Sequence, residues 1–247
     1  MVREKIIAPT HTNFPFTFDV LEHQYIAAIQ SGYEIINCLD YATRTKKLAP
    51  LTLVNRVDID FSMLKAETLC NIFNRLGVKA TFFVRLHAPE YNPFSFENYR
   101  ILKHIKNSGH EIGYHSEVVD QSEIWDEDAE NCLRRDLEVL SHMLETNIYG
   151  IASHGGMTGF NNLDFWKNRK ASDFGALYEA YDEQGPFNLF KNCFYISDSE
   201  WTRWKCYDKG ELLFGDRRTP IEHFRDQHPL VQMLIHPDTY YYRHIYE

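Results

Sequence analysis

Apolar positions along the chain follow two alternating patterns. One repeats every three to four residues and the other forms short continuous runs, the marks of helices and of buried strands. Leu21, Tyr25, Ala28 and Ile29 recur at helical spacing with Gly32 as a stop, and residues 33–39 read as a short buried strand. A second strand spans 51–59. Ser62 is placed to cap the next helix, whose stripe is Leu69, Ile72, Phe73 and Leu76, stopped by Gly77. Residues 80–86 read as a strand, Ile101, Leu102 and Ile105 mark a helix stopped by Ser108-Gly109, and 111–115 follow as a strand. Leu133, Leu137, Leu140 and Leu144 make the clearest helical stripe. Thr219-Pro220-Ile221-Glu222 has the form of a capping box with proline at the first helical position, and it delivers the chain to the apolar run 230–235.

Continuous apolar strands alternating with helices imply an α/β fold, a parallel sheet covered by helices. Closed, such a sheet is a barrel; open, it is doubly wound. The chain has no GxGxxG or Walker lysine motif, which weakens the nucleotide-binding form of the open sheet. Its 247 residues suit one (β/α) barrel. With no repeat, low-complexity stretch or linker in view, residues 1–247 read as a single domain.

Polar residues gather where strands end. Residues 51–59 run out into Arg56-Val57-Asp58-Ile59-Asp60, the strand after Gly109 ends in His115-Ser116-Glu117, and 148–152 lead into Ser153-His154-Gly155. Residues 193–196 lead into Ser197-Asp198-Ser199, and the last strand ends in His236-Pro237-Asp238. In a barrel these C-terminal ends converge on one face, where barrel active sites are built. Asp58 and Asp60 could simply be helix caps, but two carboxylates on one strand face repel, and a cation would relieve them. A lone strand histidine is more often a hydrogen-bonded core residue; beside an acidic pair and two other strand-end histidines, a shared site is the stronger reading for His115. His110, at the start of its strand, is expected to make a structural hydrogen bond, and His142 to lie on the surface. Trp201 and Trp204 follow Asp198, where an indole can stack on a sugar ring. The run Tyr240-Tyr241-Tyr242 reads as packing.

Charge and composition narrow the partners. A net charge of -9 argues against nucleic acid and anionic membrane. No apolar run approaches the roughly 20 residues of a membrane span. Residues 1–5 lack the apolar region of a signal peptide, and five cysteines without a CxxC pair form neither a disulfide framework nor a structural zinc site, so a reducing, cytoplasmic compartment is expected.

Arg56 to Asp60, Ala80-Thr81-Phe82-Phe83-Val84-Arg85 and Gly109-His110-Glu111-Ile112-Gly113-Tyr114-His115 together resemble the NodB-type polysaccharide deacetylases. The resemblance is closer to a divergent branch found with cell-surface polysaccharide genes, whose later motifs correspond to Ser153-His154-Gly155, Ser197-Asp198-Ser199 with Trp201, and Leu234-Ile235-His236-Pro237. The match runs in order from about Phe16 onward. It implies a distorted (β/α) barrel and metal-dependent removal of an acyl group from a sugar. It places the general base on Asp58, metal ligands on Asp60 and His115, and the general acid on His236. The better-known members carry a second ligand histidine four residues after the first, where this chain has Val119. A third ligand must come from elsewhere: His154 first, then Glu117, then Asp120.

The expectation is therefore a metal-dependent deacetylase acting on an acylated glycan precursor or nucleotide sugar, with one divalent ion, zinc or else Mn, Co or Ni, on Asp60, His115 and His154. Arg56, Asp198 and Trp201, with Trp204 as a further candidate, are expected on the substrate side. The rival readings are a deformylase of a formamido sugar and an inactive carbohydrate-binding barrel that has lost a ligand.

Overall fold

The computed structural model describes residues 14–45, 47–183 and 185–244; residues 1–5, read above for a leader, lie outside them. Helix α1 (Phe18–Gln30) leads to strand β1 (Glu34–Ile36), which is shorter than the expected 33–39. Asn37 accepts a hydrogen bond from the Asp40 amide at 2.7 Å and so starts helix α2 (Cys38–Thr43) where the strand was expected to continue. Strand β2 (Thr52–Ile59) then alternates with helix α3 (Met63–Leu76), strand β3 (Thr81–Val84), helix α4 (Phe96–Asn107) and strand β4 (Glu111–Ser116). Ser62 caps α3 and Gly77 ends it with φ of 68°, as the sequence predicts. Helices α5 (Val118–Trp125) and α6 (Ala129–Leu144) precede strands β5 (Gly150–Ser153) and β6 (Tyr178–Glu179). Strands β7 (Phe194–Ser197), β8 (Lys205–Asp208) and β9 (Glu211–Leu212), helix α7 (Pro220–Arg225) with its capping box, and strand β10 (Leu230–Ile235) follow.

One sheet carries the strands in the order β6-β5-β4-β3-β2-β10-β7-β8-β9, with β1 beside the first half of β2. All pairs are parallel except β7 with β8 and β8 with β9. Every residue of β2, β3, β4, β5 and β7 is buried, as expected of strands covered on both faces.

Side chains sort by parity into two layers. Leu53, Val57, Phe82, Val84, Ile112, Ile196, Val231 and Met233 face the helices in one large apolar cluster. Val54, Phe83, Ala152, Tyr178, Tyr195 and Leu234, from six different strands, form a second cluster on the other face. Side chains from both halves of a sheet meet in this way only inside a rolled sheet. The ladder is not closed by hydrogen bonds among the described residues, but the architecture is the α/β, barrel-like arrangement of parallel strands and outer helices that the sequence predicts. Gly113 belongs to this interior: a Cβ there would meet the Phe83 ring at 2.4 Å. His110 accepts from the Ala80 amide at 3.2 Å, and His142 is exposed, both as expected. No helix among the described residues is long and apolar enough to cross a membrane.

Candidate metal and acid–base site

The rolled sheet brings the expected strand ends together. Asp58 comes from β2 and Asp60 from the residue after it, His115 from β4, His154 from the residue after β5, and His236 from the residue after β10. Strand β5 lies three positions from β2, about 14 Å in a flat sheet. Yet His154 Nε2 is 3.8 Å from Asp60 Oδ1, and His236 Nε2 is 3.9 Å from Asp60 Oδ2. All these side chains, with Arg56 and Trp201, line one cavity of about 440 Å³.

Asp60, His115 and His154 form its centre. Their ligand atoms all lie within 4.8 Å of one another, with His115 Nε2 3.4 Å from Asp60 Oδ1. That Asp60 oxygen is buried with no well-directed hydrogen-bond donor among the described residues, which is costly for a carboxylate unless a cation or another ligand meets it. His115 donates from Nδ1 to the Ala152 carbonyl at 2.8 Å, which leaves Nε2 facing the Asp58 and Asp60 carboxylates, each 3.4 Å away. A carbonyl behind one ring nitrogen is the usual support of a metal-binding histidine. Two imidazole nitrogens and one carboxylate oxygen suit zinc and its borderline neighbours, so the residues present fit a divalent ion. Burial pushes the Asp60 carboxyl up, but His115, His236 and His154 outweigh it and hold the group well below the usual carboxylate range.

Glu117 and Asp120 stand outside this trio. Glu117 Oε1 is taken by Arg85 at 2.7 Å and lies 3.8 Å from His154 Nδ1, flanking the ring from behind. Asp120 accepts from the Met157 and Thr158 amides, the Thr158 hydroxyl and the Asn162 amide, so its role is to pin the loop that follows His154. That loop also needs Gly156, where a Cβ would fall 1.5 Å from the Phe160 carbonyl oxygen. Val119 spends its main-chain N–H on the Asn162 side chain at 2.9 Å and packs against the core.

Two carboxylates flank the trio, each with its own partner. Asp58 accepts from Arg56 Nε at 2.8 Å and from Nη2 at 2.7 Å, a fork inside one strand two residues apart. The repulsion expected between Asp58 and Asp60 is therefore relieved first by an internal guanidinium. Burial raises the Asp58 carboxyl, but Arg56, then His115, outweigh it and keep the group below its ordinary value. Arg56 lies wholly inside the barrel, so its first contact is Asp58.

On the other side Asp198 accepts from His236 Nδ1 at 2.6 Å. Burial alone would lower this imidazole, but the Asp198 charge and hydrogen bond raise it to about 9. Asp198 is fully buried and does not line the cavity, contrary to the expectation that it touches substrate. It positions His236 instead.

Trp201 lies at the rim, 43% exposed, stacked on Phe61 at 5.7 Å and on His236 at 6.2 Å between ring centroids. Its φ of 63° is uncommon for so bulky a residue and marks a backbone held in place by its surroundings. Trp204 corrects the expectation for it: the indole is fully buried, against Phe14 and Phe16, far inside the packing. The cavity is also lined by Tyr181, Phe190, Tyr195, Lys205 and Tyr207, which form a wall that no motif singled out. The sole signal for the last two is the alternation Lys205-Cys206-Tyr207 on a strand that pairs with β7.

Neither a family model nor a curated protein matches this chain. Among solved structures, the chain is similar to family 4 carbohydrate esterases. One, from Bacillus anthracis, is 15% identical over 93% of this chain and 83% of its own, with a TM-score of 0.44. The Streptococcus pyogenes deacetylase PplD, in complex with acetate, is 16% identical over 69% of this chain and 84% of its own, with a TM-score of 0.40. A CE4 family pseudoenzyme from Bacillus anthracis is 16% identical over 76% of this chain, with a TM-score of 0.43. The chain spans 55% of that pseudoenzyme's length, and 57% of the length of a mutant of it with restored enzymatic activity.

Proposed function

We propose that the chain is a metal-dependent carbohydrate deacetylase, hydrolysing an N- or O-acetyl group on a glycan precursor or nucleotide sugar. The observation that carries this reading is a single cavity in which a nitrogen, nitrogen and oxygen donor trio stands between a buried carboxylate and a buried imidazole, each held by its own partner. A cation binder has no use for a base and an acid on opposite flanks. Held by Asp60, His115 and His154, a divalent ion, zinc or else Mn, Co or Ni, would supply Lewis-acid polarisation of the acyl carbonyl and of water.

The protein's own groups do the proton transfers. Asp58, kept ionised by Arg56, accepts a proton from the attacking water as its oxygen bonds to the acyl carbon. His236 Nδ1–H is committed to Asp198, so the proton on Nε2 faces the cavity and goes to the sugar nitrogen or oxygen as its bond to carbon breaks. The products are acetate and the free amine or hydroxyl. Trp201 offers an exposed ring face to the sugar. Five buried thiols suit a reducing, cytoplasmic setting, where soluble precursors are the available substrates.

A formyl group would be cleaved by the same groups in the same roles. The test is release of acetate or formate from N-acetyl, O-acetyl and N-formyl sugars by the zinc-loaded protein, compared with Asp58→Asn. Acyl release by the parent and its loss in the variant is the expected result. No release from any of them, with zinc bound, would leave the inactive carbohydrate-binding barrel as the reading.

A further inference from the structure

Strand β8 pairs antiparallel with β7, which sets Lys205 opposite Ser197 and Tyr207 opposite Tyr195. Residues directly opposite share a face, so Lys205 and Tyr207 join Tyr195 on the inner side, while Cys206 points outward. Lys205 and Tyr207 line the same cavity as the trio. The lysine is half-buried, with Nζ 5.3 Å from the centroid of the Tyr207 ring and no ion pair to any described carboxylate.

The other charges of the cavity are already matched. Arg56 is forked onto Asp58, and His236 is bonded to Asp198. Asp60 faces the histidines of the trio. Arg56 adds a second signal: its guanidinium carbon lies 4.7 Å from the centroid of the Tyr181 ring, and its buried Nη1 has no hydrogen-bond acceptor among the described residues. Tyr181 and Tyr195 bring their hydroxyls within 3.2 Å of each other on the same wall. A chain with a net charge of -9 thus keeps one unmatched ammonium, an under-used guanidinium and a group of phenol hydroxyls together inside its reaction cavity.

We infer that this wall is an anion subsite: the acylated sugar carries a phosphate or carboxylate group that is bound by Lys205, with Arg56 and the Tyr181, Tyr195 and Tyr207 hydroxyls around it. This inference rests on the deacetylase reading of the same cavity, and it narrows the substrate from sugars in general to acidic ones. A charge-assisted contact in a half-buried site separates charged from neutral ligands by about 10- to 100-fold. It weakens with added salt.

The experiment compares three probes on the zinc-loaded, full-length protein: N-acetylglucosamine, its 1-phosphate, and the N-acetylated uronic acid of the same ring. Both kcat/KM and binding, followed by tryptophan fluorescence, are measured for the parent, Lys205→Met, Lys205→Arg and, as a surface control, Lys103→Met. The expected result is at least a 10-fold preference of the parent for one or both acidic probes. Lys205→Met should bring that ratio near unity, Lys205→Arg should keep most of it, and Lys103→Met should leave it as it is. Preference for the phosphate alone identifies a sugar phosphate as the ligand, and preference for the acid alone identifies a uronic-type sugar. Equal turnover of all three probes by the parent overturns the subsite and leaves the deacetylase standing. Binding of an acidic probe that depends on Lys205 without any turnover overturns the deacetylase and leaves the subsite standing. Neither binding nor turnover overturns both.

Discussion

Asp198 accepts two hydrogen bonds from one residue, His236: from ring Nδ1 at 2.6 Å and from the main-chain nitrogen at 3.0 Å. The double attachment fixes both the position of the imidazole and its tautomer, so that Nε2 can only face the cavity. Asp198→Asn should therefore lower kcat by about 10²- to 10⁴-fold, the range of a misdirected acid or base, with a smaller change in KM. His236→Gln should fall as far, and the double variant no further, because the two act as one unit. Steady-state kinetics on an acetylated sugar checks this, and a double variant whose loss is the product of the single ones would contradict it.

Asp60→Ala, His115→Ala and His154→Ala should each weaken metal binding by orders of magnitude, while Asp58→Asn and Glu117→Gln should retain it. The ligands sit above the apolar layer, so circular dichroism should show the fold kept in all five. Elemental analysis after gel filtration is the measurement. Full metal in His154→Ala together with loss in Glu117→Gln would move the third ligand to Glu117.

Arg56 and Asp58 are both almost completely buried, at 1% and 3% side-chain exposure. Removing one partner strands the other's charge in the barrel, which costs about 3–5 kcal/mol. Arg56→Met should lose stability on that scale in urea unfolding. Adding Asp58→Asn to it should recover much of the loss, because the stranded charge is then gone. A double variant less stable than Arg56→Met would show that the pair matters through packing and not through charge.

Much of this arrangement is legible in the sequence because strand ends in a parallel barrel share one face. Once Asp58, Asp60, His115, His154 and His236 are placed at strand ends, their convergence follows from topology. What is less legible has physical reasons as well. The Arg56–Asp58 fork needs an i, i+2 pair on a strand, which looks like any other alternation until the interior is known to be closed to water. Asp198 reads as a strand-end carboxylate like the others, and only its depth shows that it serves His236 and not the substrate. Trp201 and Trp204 are three residues apart in an irregular loop, where no periodicity says which one faces out. Strand β8 is antiparallel and short, so Lys205 carries no motif and becomes visible only through its register with β7.

The two indoles should respond in opposite ways to the same change. Trp201→Ala should raise KM more than it lowers kcat, as expected of a group that binds ground and transition states alike. Trp204→Ala should cost about 3–5 kcal/mol of stability, the range for truncating a buried large aromatic. Urea unfolding and kinetics on both variants separate the roles. A Trp201→Ala variant with unchanged KM for every sugar tested would remove that ring from the binding surface.

Glu111 supplies a pH test at the foot of the barrel, away from the reacting groups. Its carboxyl accepts from Thr81 Oγ1 at 2.5 Å, the Tyr178 hydroxyl at 2.8 Å and the Leu39 amide at 2.9 Å. Burial still dominates these donors and raises the group from 4.5 to about 7. A carboxyl with a raised folded value binds its proton more tightly in the native state than in the unfolded chain. Its stabilising contribution is therefore complete below the unfolded value near 4.5 and is lost as pH rises through about 7. The loss over that window is on the order of 3 kcal/mol, at about 1.4 kcal/mol per unit. Glu111→Gln keeps the shape and hydrogen-bonding capacity of the protonated form but cannot ionise. The variant should match the parent near pH 4.5, and above pH 7 it should be the more stable of the two. Urea unfolding at half-unit steps from pH 4.5 to 8 measures both curves, and a variant that falls in parallel with the parent would show that Glu111 is ionised throughout.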